Sequence, residues 1–257
     1  MEFLRTNMIN TITQLNVTSN TITAINLFNP DTTYQYYTDG FANDLTSASI
    51  TITFDTAKNI NRIGLKSFNL KEFNMFYNGV TANAFTFTSG PTTTSYFTNN
   101  TQENLYLRFN TISASSITLD MKKTIVANEE KQIGYMFISE LLFSPTVLPS
   151  ANSYKPKIKT KQIVHKMSDG GTRIHNIKRK WETVFSVDYI TQSERDSYES
   201  IYNLNESFIF THFGTSTSWD AIAYEGVWPG DFNFYEYSDN ASSSGFSGNI
   251  SIMETSI

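Results

Sequence analysis

The chain of 257 residues contains no cysteine and only three histidines. The absence of cysteine excludes disulfides, thiol catalysis and thiolate metal sites, so stability must come from packing or from assembly. Charged residues are also sparse, at 17% of the sequence. An enzyme needs a converging set of ionisable groups, and this composition offers few of them.

Long apolar runs are missing as well. No stretch approaches the roughly 20 apolar residues of a membrane-spanning helix. The N-terminal residues lack the apolar core and the small-residue cleavage site of a signal peptide. We therefore expect no membrane insertion, and a product made and kept in a cytoplasm.

Aromatic and hydroxyl side chains are plentiful instead, with 20 Phe and 14 Tyr in the chain. Thr and the aromatic residues suit half-buried strands, while Asn and Ser suit the turns between strands. In the first half, apolar residues such as Ile50, Ile52 and Phe54 alternate with threonines. Turn-forming clusters such as Asn78-Gly79 separate the alternating segments. The pattern predicts a mainly all-β protein with an N-terminal β-sandwich.

Three prolines, Pro145, Pro149 and Pro156, follow a nearly continuous apolar segment over Ile133–Phe143. We interpret the apolar segment as a central strand covered on both sides. Because proline cannot serve an interior β-ladder, the proline-rich segment is interpreted as a linker. The predicted domains are residues 1–147, beginning with an N-terminal strand or arm of about 20 residues, and a smaller β-domain over residues 155–257.

The second half predicts one hairpin and one helix. Strands are expected over Gln162–Met167 and Arg173–Ile190, on either side of an Asp-Gly-Gly turn. Thr191 and Glu194 form a capping box and are followed by apolar residues at helical spacing. This arrangement predicts a short helix over residues 191–204.

The three histidines are His165, His175 and His212, and none stands at the spacing of a metal-binding motif. His165 and His175 are expected on opposite arms of the hairpin, where ordinary polar strand positions are the favoured interpretation. No nucleophile elbow or phosphate-binding glycine loop occurs. We predict no catalytic residue, no metal site and no cofactor, although scattered carboxylates leave a glycan-degrading enzyme as an alternative.

Charge is distributed unevenly along the second half. Nine of the 19 Lys and Arg residues lie between residues 155 and 180, whereas eleven acidic residues and one arginine follow from Asp188. Lys155, Lys157, Lys159 and Lys161 alternate, so an extended strand projects all four to one face. One interpretation is protection of an edge strand. Another is an assembly interface, in which this basic face meets the acidic face of a neighbouring copy. A pI of about 5.2 argues against nucleic acid as the partner.

Several segments of the first half follow one another in a recognisable order: Ala24–Asp31, Tyr34–Gly40, Ser49–Phe54, Ile60–Leu65 and Phe68–Leu70. With Ile133–Phe143 as a closing strand, they resemble a discoidin-like (galactose-binding-like) jelly-roll module over roughly residues 20–145. The resemblance implies a jelly-roll sandwich whose loops at one end carry ligand contacts.

The second half contains Asp169-Gly170 near a hairpin turn, the strand segment Lys180–Phe185 and the helix segment Thr191–Leu204. This layout is similar to that of phage distal-tail, baseplate and tail-adaptor proteins. The resemblance implies a virion component with other tail or baseplate proteins as partners, and a homo-oligomer such as a ring or trimer.

Two groups of aromatic residues are candidate contact sites. Tyr34, Tyr36, Tyr37 and Phe41 occupy a loop early in the jelly roll, where the resemblance implies ligand contacts and where aromatic faces suit sugar rings. The favoured alternative is that these rings cap the end of the core. Trp219 and Trp228, together with the alternating lysines, are candidates for an assembly interface.

The leading hypothesis is a non-enzymatic structural component of a phage-type virion tail or baseplate, located in the virion tail and made in the host cytoplasm. Its sandwich module would present a binding surface for a cell-surface glycan. A free carbohydrate-binding module protein is the first alternative, and a glycan-degrading tail enzyme is the second.

Overall fold

A computed structural model describes residues 1–31, 33–40, 42–79, 83–89, 92–149, 153–168, 170–211, 223–238 and 244–255. The chain divides into two compact units. The N-terminal unit runs from Leu4 to Leu141, and the C-terminal unit combines Met1–Phe3, Leu142–Thr211 and the chain from Tyr224 onward. The protein is mainly β with multiple antiparallel sheets, as the composition and the alternation predict.

The described residues form sixteen strands and one α-helix. In chain order these are β1 (Glu2–Arg5), β2 (Ile12–Val17), β3 (Tyr36–Tyr37), β4 (Ala48–Phe68), β5 (Leu70–Tyr77), β6 (Phe87–Ser89), β7 (Tyr96–Phe97), β8 (Asn104–Thr124), β9 (Gln132–Ser139), β10 (Leu141–Phe143), β11 (Lys157–Lys166), β12 (Thr172–Ile190), α1 (Gln192–Tyr202), β13 (Phe208–Thr211), β14 (Ala223–Val227), β15 (Asn233–Ser238) and β16 (Ser244–Glu254). Short 3₁₀ segments lie at Met8–Thr11 and Ala24–Phe28. None of the helices in the described part of the chain has the length and apolar character needed to cross a bilayer.

The N-terminal unit is a β-sandwich built around the two long strands β4 and β8. Its strand order is β3-β9-β4-β8-β5-β7, with β2 paired to β4 and β6 paired to β8. Shifts of register at Thr53/Lys58 and Ile60/Arg62 interrupt the pairing of β4 with β8. Such bulges bend a strand and increase its twist, so each long strand contributes two segments to the same core.

The core of the N-terminal unit gathers the apolar side chains that alternation places on one face. Ile50 pairs with Leu119, and Ile52 pairs with Ile117, across the first half of β4. All four side chains are buried, whereas the threonines between them are more exposed. Burying each such side chain contributes about 1.5–3 kcal/mol.

The C-terminal unit is organised around an eight-stranded sheet and helix α1. The strand order is β10-β1-β13-β14-β16-β12-β11, with β15 also paired to β16. Thr191 caps the helix in a complete capping box with Glu194, as predicted. Tyr198 is buried among aromatic rings, with Phe3 5.7 Å and Phe143 4.9 Å from it between ring centroids. The core of this unit is therefore largely aromatic.

The prediction of one continuous strand over Ile133–Phe143 is wrong. Strand β9 ends at Ser139, and β10 begins at Leu141 in the other sheet. The main chain leaves β9 at Glu140, whose carbonyl accepts a 2.9 Å hydrogen bond from the Arg5 amide. The chain can change sheets here because its backbone groups keep hydrogen-bond partners.

The boundary between the compact units also differs from the proposed linker. The chain passes from the N-terminal unit to the C-terminal unit between Leu141 and Leu142, ahead of the proline-rich segment. Within the C-terminal unit, the amides of Thr146 and Val147 donate to Glu194 Oε1 at 2.9 and 3.3 Å. This part of the proposed linker is thus attached to the cap of helix α1.

Candidate functional site

The described residues of the segment 29–37, a loop that leads into strand β3, are held by local hydrogen bonds. Asp31 Oδ1 accepts from the Thr33 amide at 3.0 Å and from the Thr33 hydroxyl at 2.8 Å. These bonds lower the pKa of Asp31, so its carboxylate stays charged near neutral pH. The Asn26 side chain donates to the Gln35 carbonyl at 3.2 Å. The loop is therefore fixed by its own residues and by the 3₁₀ segment before it.

Two of the predicted tyrosines are exposed on this loop, and the third is not. Tyr34 is 58% exposed and Tyr37 is 41% exposed. Tyr36 is fully buried in the core, and its hydroxyl donates to the Ser19 carbonyl at 3.1 Å. Burial raises its pKa to about 12. The prediction of Tyr36 as a ligand contact is therefore wrong, because consecutive strand residues point to opposite faces. Phe41 lies outside the described residues.

The chain after Tyr37 is attached to the loop between β8 and β9. Tyr37 pairs with Gln132, and the Thr38 amide donates to the Lys131 carbonyl at 3.0 Å. Asp44 Oδ1 accepts from the amide and the hydroxyl of Thr124, each at 3.2 Å. We call the segments 29–46 and 124–132 together the loop rim.

Lys131 is a fully buried cation beneath the loop rim. Its Nζ donates to the Asn43 carbonyl at 3.3 Å. Loss of water lowers the pKa of this ammonium group, while the charge of Asp44 raises it. Through this hydrogen bond, Lys131 of the segment 124–132 links that segment to the segment 29–46.

The solvent-facing side of the loop rim is acidic. Its sequence contains no arginine and no lysine other than the buried Lys131, whereas Asp31, Asp39 and Glu129 are exposed. Carboxylates accept hydrogen bonds from hydroxyl and ammonium groups. The rim thus combines exposed tyrosine rings with acceptors, and it does not favour anionic ligands.

A second concave site lies in the C-terminal unit, where helix α1 ends. The cavity has a volume of about 220 Å³. It is lined by Ile201, Tyr202, Asn205, Glu206, Phe208, Val227, Trp228 and Gly230. The rings of Tyr202 and Trp228 meet edge to face, with centroids 5.8 Å apart and an interplanar angle of 81°. We call this site the acidic aromatic pocket.

Three of the four alternating lysines, Lys157, Lys159 and Lys161, lie on edge strand β11, and two of them contact one carboxylate. Lys157 Nζ is 3.7 Å from Glu182 Oε1, and Lys159 forms an ion pair with Glu182 Oε2. The hydrogen bond from Lys159 lowers the pKa of Glu182 against the effect of desolvation. Lys155 is exposed, while the Lys161 side chain lies outside the described part of the structure, as does Trp219. Trp228 is half-buried at the acidic aromatic pocket.

The described residues contain no group of three or more His, Asp or Glu side chains arranged to hold a metal ion. The backbone register places His165 opposite Arg173 and His175 opposite Ile163. His212 lies outside the described residues.

Sequence reasoning missed Lys131 and most of the acidic aromatic pocket. A lysine in a loop gives no sign that it is buried, because loops usually lie on the surface. Asn205 and Glu206 directly follow the predicted helix. The predicted end of that helix was therefore the one sequence feature that pointed to the position of the pocket. Trp228 is a predicted contact residue, but no sequence pattern indicates that its ring meets that of Tyr202.

Comparison with known proteins gives no family-model match and no match among curated proteins. Several solved structures that align with part of the chain are carbohydrate-binding modules. Chitosan-binding module 1 from a chitosanase/glucanase of Paenibacillus sp. IK-5 aligns with 51% of this chain and 97% of its own, at 12% identity and a TM-score of 0.37. CBM32-3 from a family 31 glycoside hydrolase of Clostridium perfringens aligns with 51% and 91%, at 17% identity and a TM-score of 0.38. A pectin-binding module aligns with 49% and 89%, at 16% identity and a TM-score of 0.34.

These TM-scores are all below 0.5, so the three alignments carry no argument about this chain. None of the three structures is a phage tail or baseplate protein. The comparisons thus give the predicted tail role no support.

Proposed function

We propose that the chain is a non-enzymatic glycan-binding protein, and that the loop rim of its N-terminal unit is the binding surface. The observation that carries this proposal is the pair of exposed rings, Tyr34 on a loop fixed by hydrogen bonds and Tyr37 on the strand β3 that follows it. A fixed loop loses little conformational entropy when it binds, which favours affinity.

The chemistry of the loop rim indicates the class of glycan. A tyrosine face packs against the C–H face of a sugar ring, while neighbouring carboxylates accept hydrogen bonds from sugar hydroxyls. Exposed Asp31, Asp39 and Glu129 disfavour sulfated sugars and uronic acids by charge repulsion. The proposed ligand is therefore a neutral sugar or an amino sugar.

The test is a glycan array followed by titration calorimetry on the strongest ligand. The variant carries Tyr34→Ala and Tyr37→Ala, which remove two exposed rings with little effect on the core. Each ring is expected to contribute roughly 1 kcal/mol, so the double variant is expected to bind at least tenfold more weakly. Neutral or amino-sugar oligosaccharides are expected among the ligands of the wild type.

The matched control is Tyr235→Ala, which removes a tyrosine that is 62% exposed on β15 of the C-terminal unit. Its affinity is expected to equal that of the wild type. A wild-type protein that retains no glycan, or a Tyr34→Ala/Tyr37→Ala variant with unchanged affinity, contradicts the proposal. The proposal also states that the protein is not an enzyme. That statement would be contradicted if the protein hydrolysed a glycan and a single carboxylate substitution abolished the activity.

A structural role in a phage-type tail or baseplate is a second candidate. The observation that favours an assembly role is the exposed hairpin of β11 and β12, described below. Immunogold labelling of intact particles tests the tail role directly, since a component of the tail is expected to be labelled there. Absence of the protein from particles would exclude it.

A further inference from the structure

The hairpin of β11 and β12 extends beyond the sheet of the C-terminal unit. Strand β12 pairs with β16 from Glu182 onward, while its first nine residues, Thr172 to Lys180, pair with β11 alone in the described structure. At about 3.3 Å per residue, this two-stranded ribbon is roughly 30 Å long. We call it the basic ribbon.

The basic ribbon is exposed on both faces. Every side chain that the structure describes from Lys155 to Ile174 is exposed. Val164 and Ile174 face each other across the ribbon at 55% and 58% exposure. Ile158, Ile163 and Met167 are 66%, 44% and 41% exposed. Single exposed apolar residues are ordinary, but the cross-strand pair of Val164 and Ile174 on an element exposed on both faces offers a contact surface.

The backbone register of the ribbon also places lysines opposite lysines. Lys159 pairs with Lys180, and Lys161 pairs with Lys178 in the backbone register. Like charges directly opposite one another destabilise an antiparallel pair, and an isolated two-stranded hairpin is marginally stable in water. An acidic partner that covers the apolar side chains would relieve both costs.

The acidic aromatic pocket has the matching chemistry. Its volume of about 220 Å³ is below the roughly 300–1,000 Å³ of sites for drug-sized ligands, so it suits one side chain. Glu206 and the rings of Tyr202 and Trp228 offer a carboxylate and aromatic faces, which bind the cationic groups of lysine and arginine. Asp231 is exposed and follows Gly230 of the pocket lining.

We propose that the basic ribbon of one copy of this chain docks on the acidic aromatic pocket of a second copy. Lys166 and Arg173, both exposed next to the turn of the ribbon, supply the cationic groups. The contact is heterologous, because the ribbon and the pocket are different surfaces of the same unit. Such a contact either closes reciprocally into a two-fold dimer or repeats from copy to copy into a ring or a filament. The inference is independent of glycan binding by the loop rim.

The test measures assembly of the full chain by sedimentation velocity over a range of concentrations. The ribbon variant is Lys166→Glu/Arg173→Glu, and the pocket variant is Glu206→Lys/Asp231→Lys. Each is expected to weaken assembly at least tenfold, because it places like charges in the contact. The control, Glu103→Lys/Glu236→Lys, changes the net charge as the pocket variant does and alters exposed positions outside the pocket lining. It is expected to assemble as the wild type does.

Mixing the two variants distinguishes this contact from other causes of weakened assembly. The ribbon variant keeps a native pocket, and the pocket variant keeps a native ribbon, so a native contact forms between them. An equimolar mixture is therefore expected to form heterodimers with an affinity near that of the wild type. Circular dichroism confirms that each variant is folded before mixing.

Three results would overturn the proposal. The first is a wild-type chain that stays monomeric up to roughly 0.5 mM, where even weak specific contacts are populated. The second is wild-type affinity in either variant. The third is failure of the mixture to recover assembly. Retention of the monomeric wild type on a polyanion such as heparin would assign the ribbon to a polyanionic partner instead.

Discussion

Gly64 and Phe137 pair across β4 and β9, and the ring of Phe137 fills the space above the Gly64 backbone. A Cβ atom on Gly64 would lie 1.7 Å from Cε1 of Phe137 and 2.3 Å from its Cδ1. On the other side, Gly64 pairs with Tyr106 of β8. The Tyr106 and Phe137 rings stack with centroids 6.1 Å apart and an interplanar angle of 23°. The glycine thus lets two buried rings from flanking strands meet over a central strand.

The first prediction concerns this contact. Gly64→Ala is expected to destabilise the N-terminal unit by about 3 kcal/mol, because the new methyl group has to displace a buried ring. Hydrogen exchange of the β4 and β9 amides measures the effect. Phe137→Leu is expected to be destabilising by itself but to reduce the cost of Gly64→Ala in the double variant. Additive effects would contradict the steric explanation.

The second prediction concerns pH and the cap of helix α1. Glu194 is buried; desolvation raises its pKa, but bonds from Thr146, Val147 and Thr191 outweigh this and lower it. A carboxyl group whose pKa is lowered by folding adds stability above its unfolded pKa of about 4.3 and loses it as the pH falls through the folded value. Glu194→Gln is expected to cost about 1–2 kcal/mol at pH 7, and less below about pH 4.

Tryptophan fluorescence during urea unfolding is the measurement for the helix cap, since Trp181 and Trp228 both pack in the core of the C-terminal unit. The control is Glu199→Gln on the same helix, whose partner Arg195 is 2.7 Å away in a partly exposed pair. Such pairs contribute little, so little change is expected. A Glu194→Gln difference that stays constant from pH 7 to pH 3 would argue against the ionised cap.

The third prediction tests the rigidity of the loop rim. Asp31→Ala removes both bonds to Thr33 and is expected to weaken glycan binding roughly three- to tenfold, because the loop then has to be ordered on binding. The control is Asp55→Ala on β4, outside the loop rim, because Asp55 also accepts from the amide and hydroxyl of a threonine, Thr56, besides its ion pair with Lys58. Titration calorimetry is expected to show unchanged affinity for the control. Equal losses in the two variants would contradict a role for the loop.

The fourth prediction concerns the buried ammonium group of Lys131. Asp44→Asn removes a nearby negative charge and is expected to destabilise the N-terminal unit by about 2 kcal/mol, because a buried cation loses its compensation. Lys131→Met in the same background is expected to recover part of this loss. Hydrogen exchange of the β8 and β9 amides measures both. If Lys131→Met deepens the loss instead, the charge argument fails.

Local patterns in the sequence were sufficient where neighbouring residues decide the structure. The alternation over Ile50–Phe54 predicts its strand because a half-buried strand has a period of two. The capping box of Thr191 and Glu194 predicts the start of helix α1 because its two bonds close within four residues. Both predictions are confirmed.

The same patterns were insufficient for the candidate sites. Alternation requires that one of the two rings, Tyr36 or Tyr37, is buried and the other is exposed. It does not show which, and only the pairing of β3 with β9 places Tyr36 in the core. Similarly, the apolar run over Ile133–Phe143 does not show that its last residues join the other sheet. The burial of Lys131 also depends on a loop some ninety residues away in the chain.

The sequence by itself determined the mainly β character of this protein, its alternating strands, its capped helix and its polarised charge, because each of these follows from composition or from residues close in the chain. Only the tertiary structure decided which tyrosines reach solvent and that a hairpin with nine basic residues nearby protrudes from its sheet. Among the described residues, β16 pairs with β12 from Glu182 onward, and the ribbon before Glu182 is exposed. The length of that pairing depends on residues some seventy positions apart in the chain, and a local sequence pattern cannot predict it.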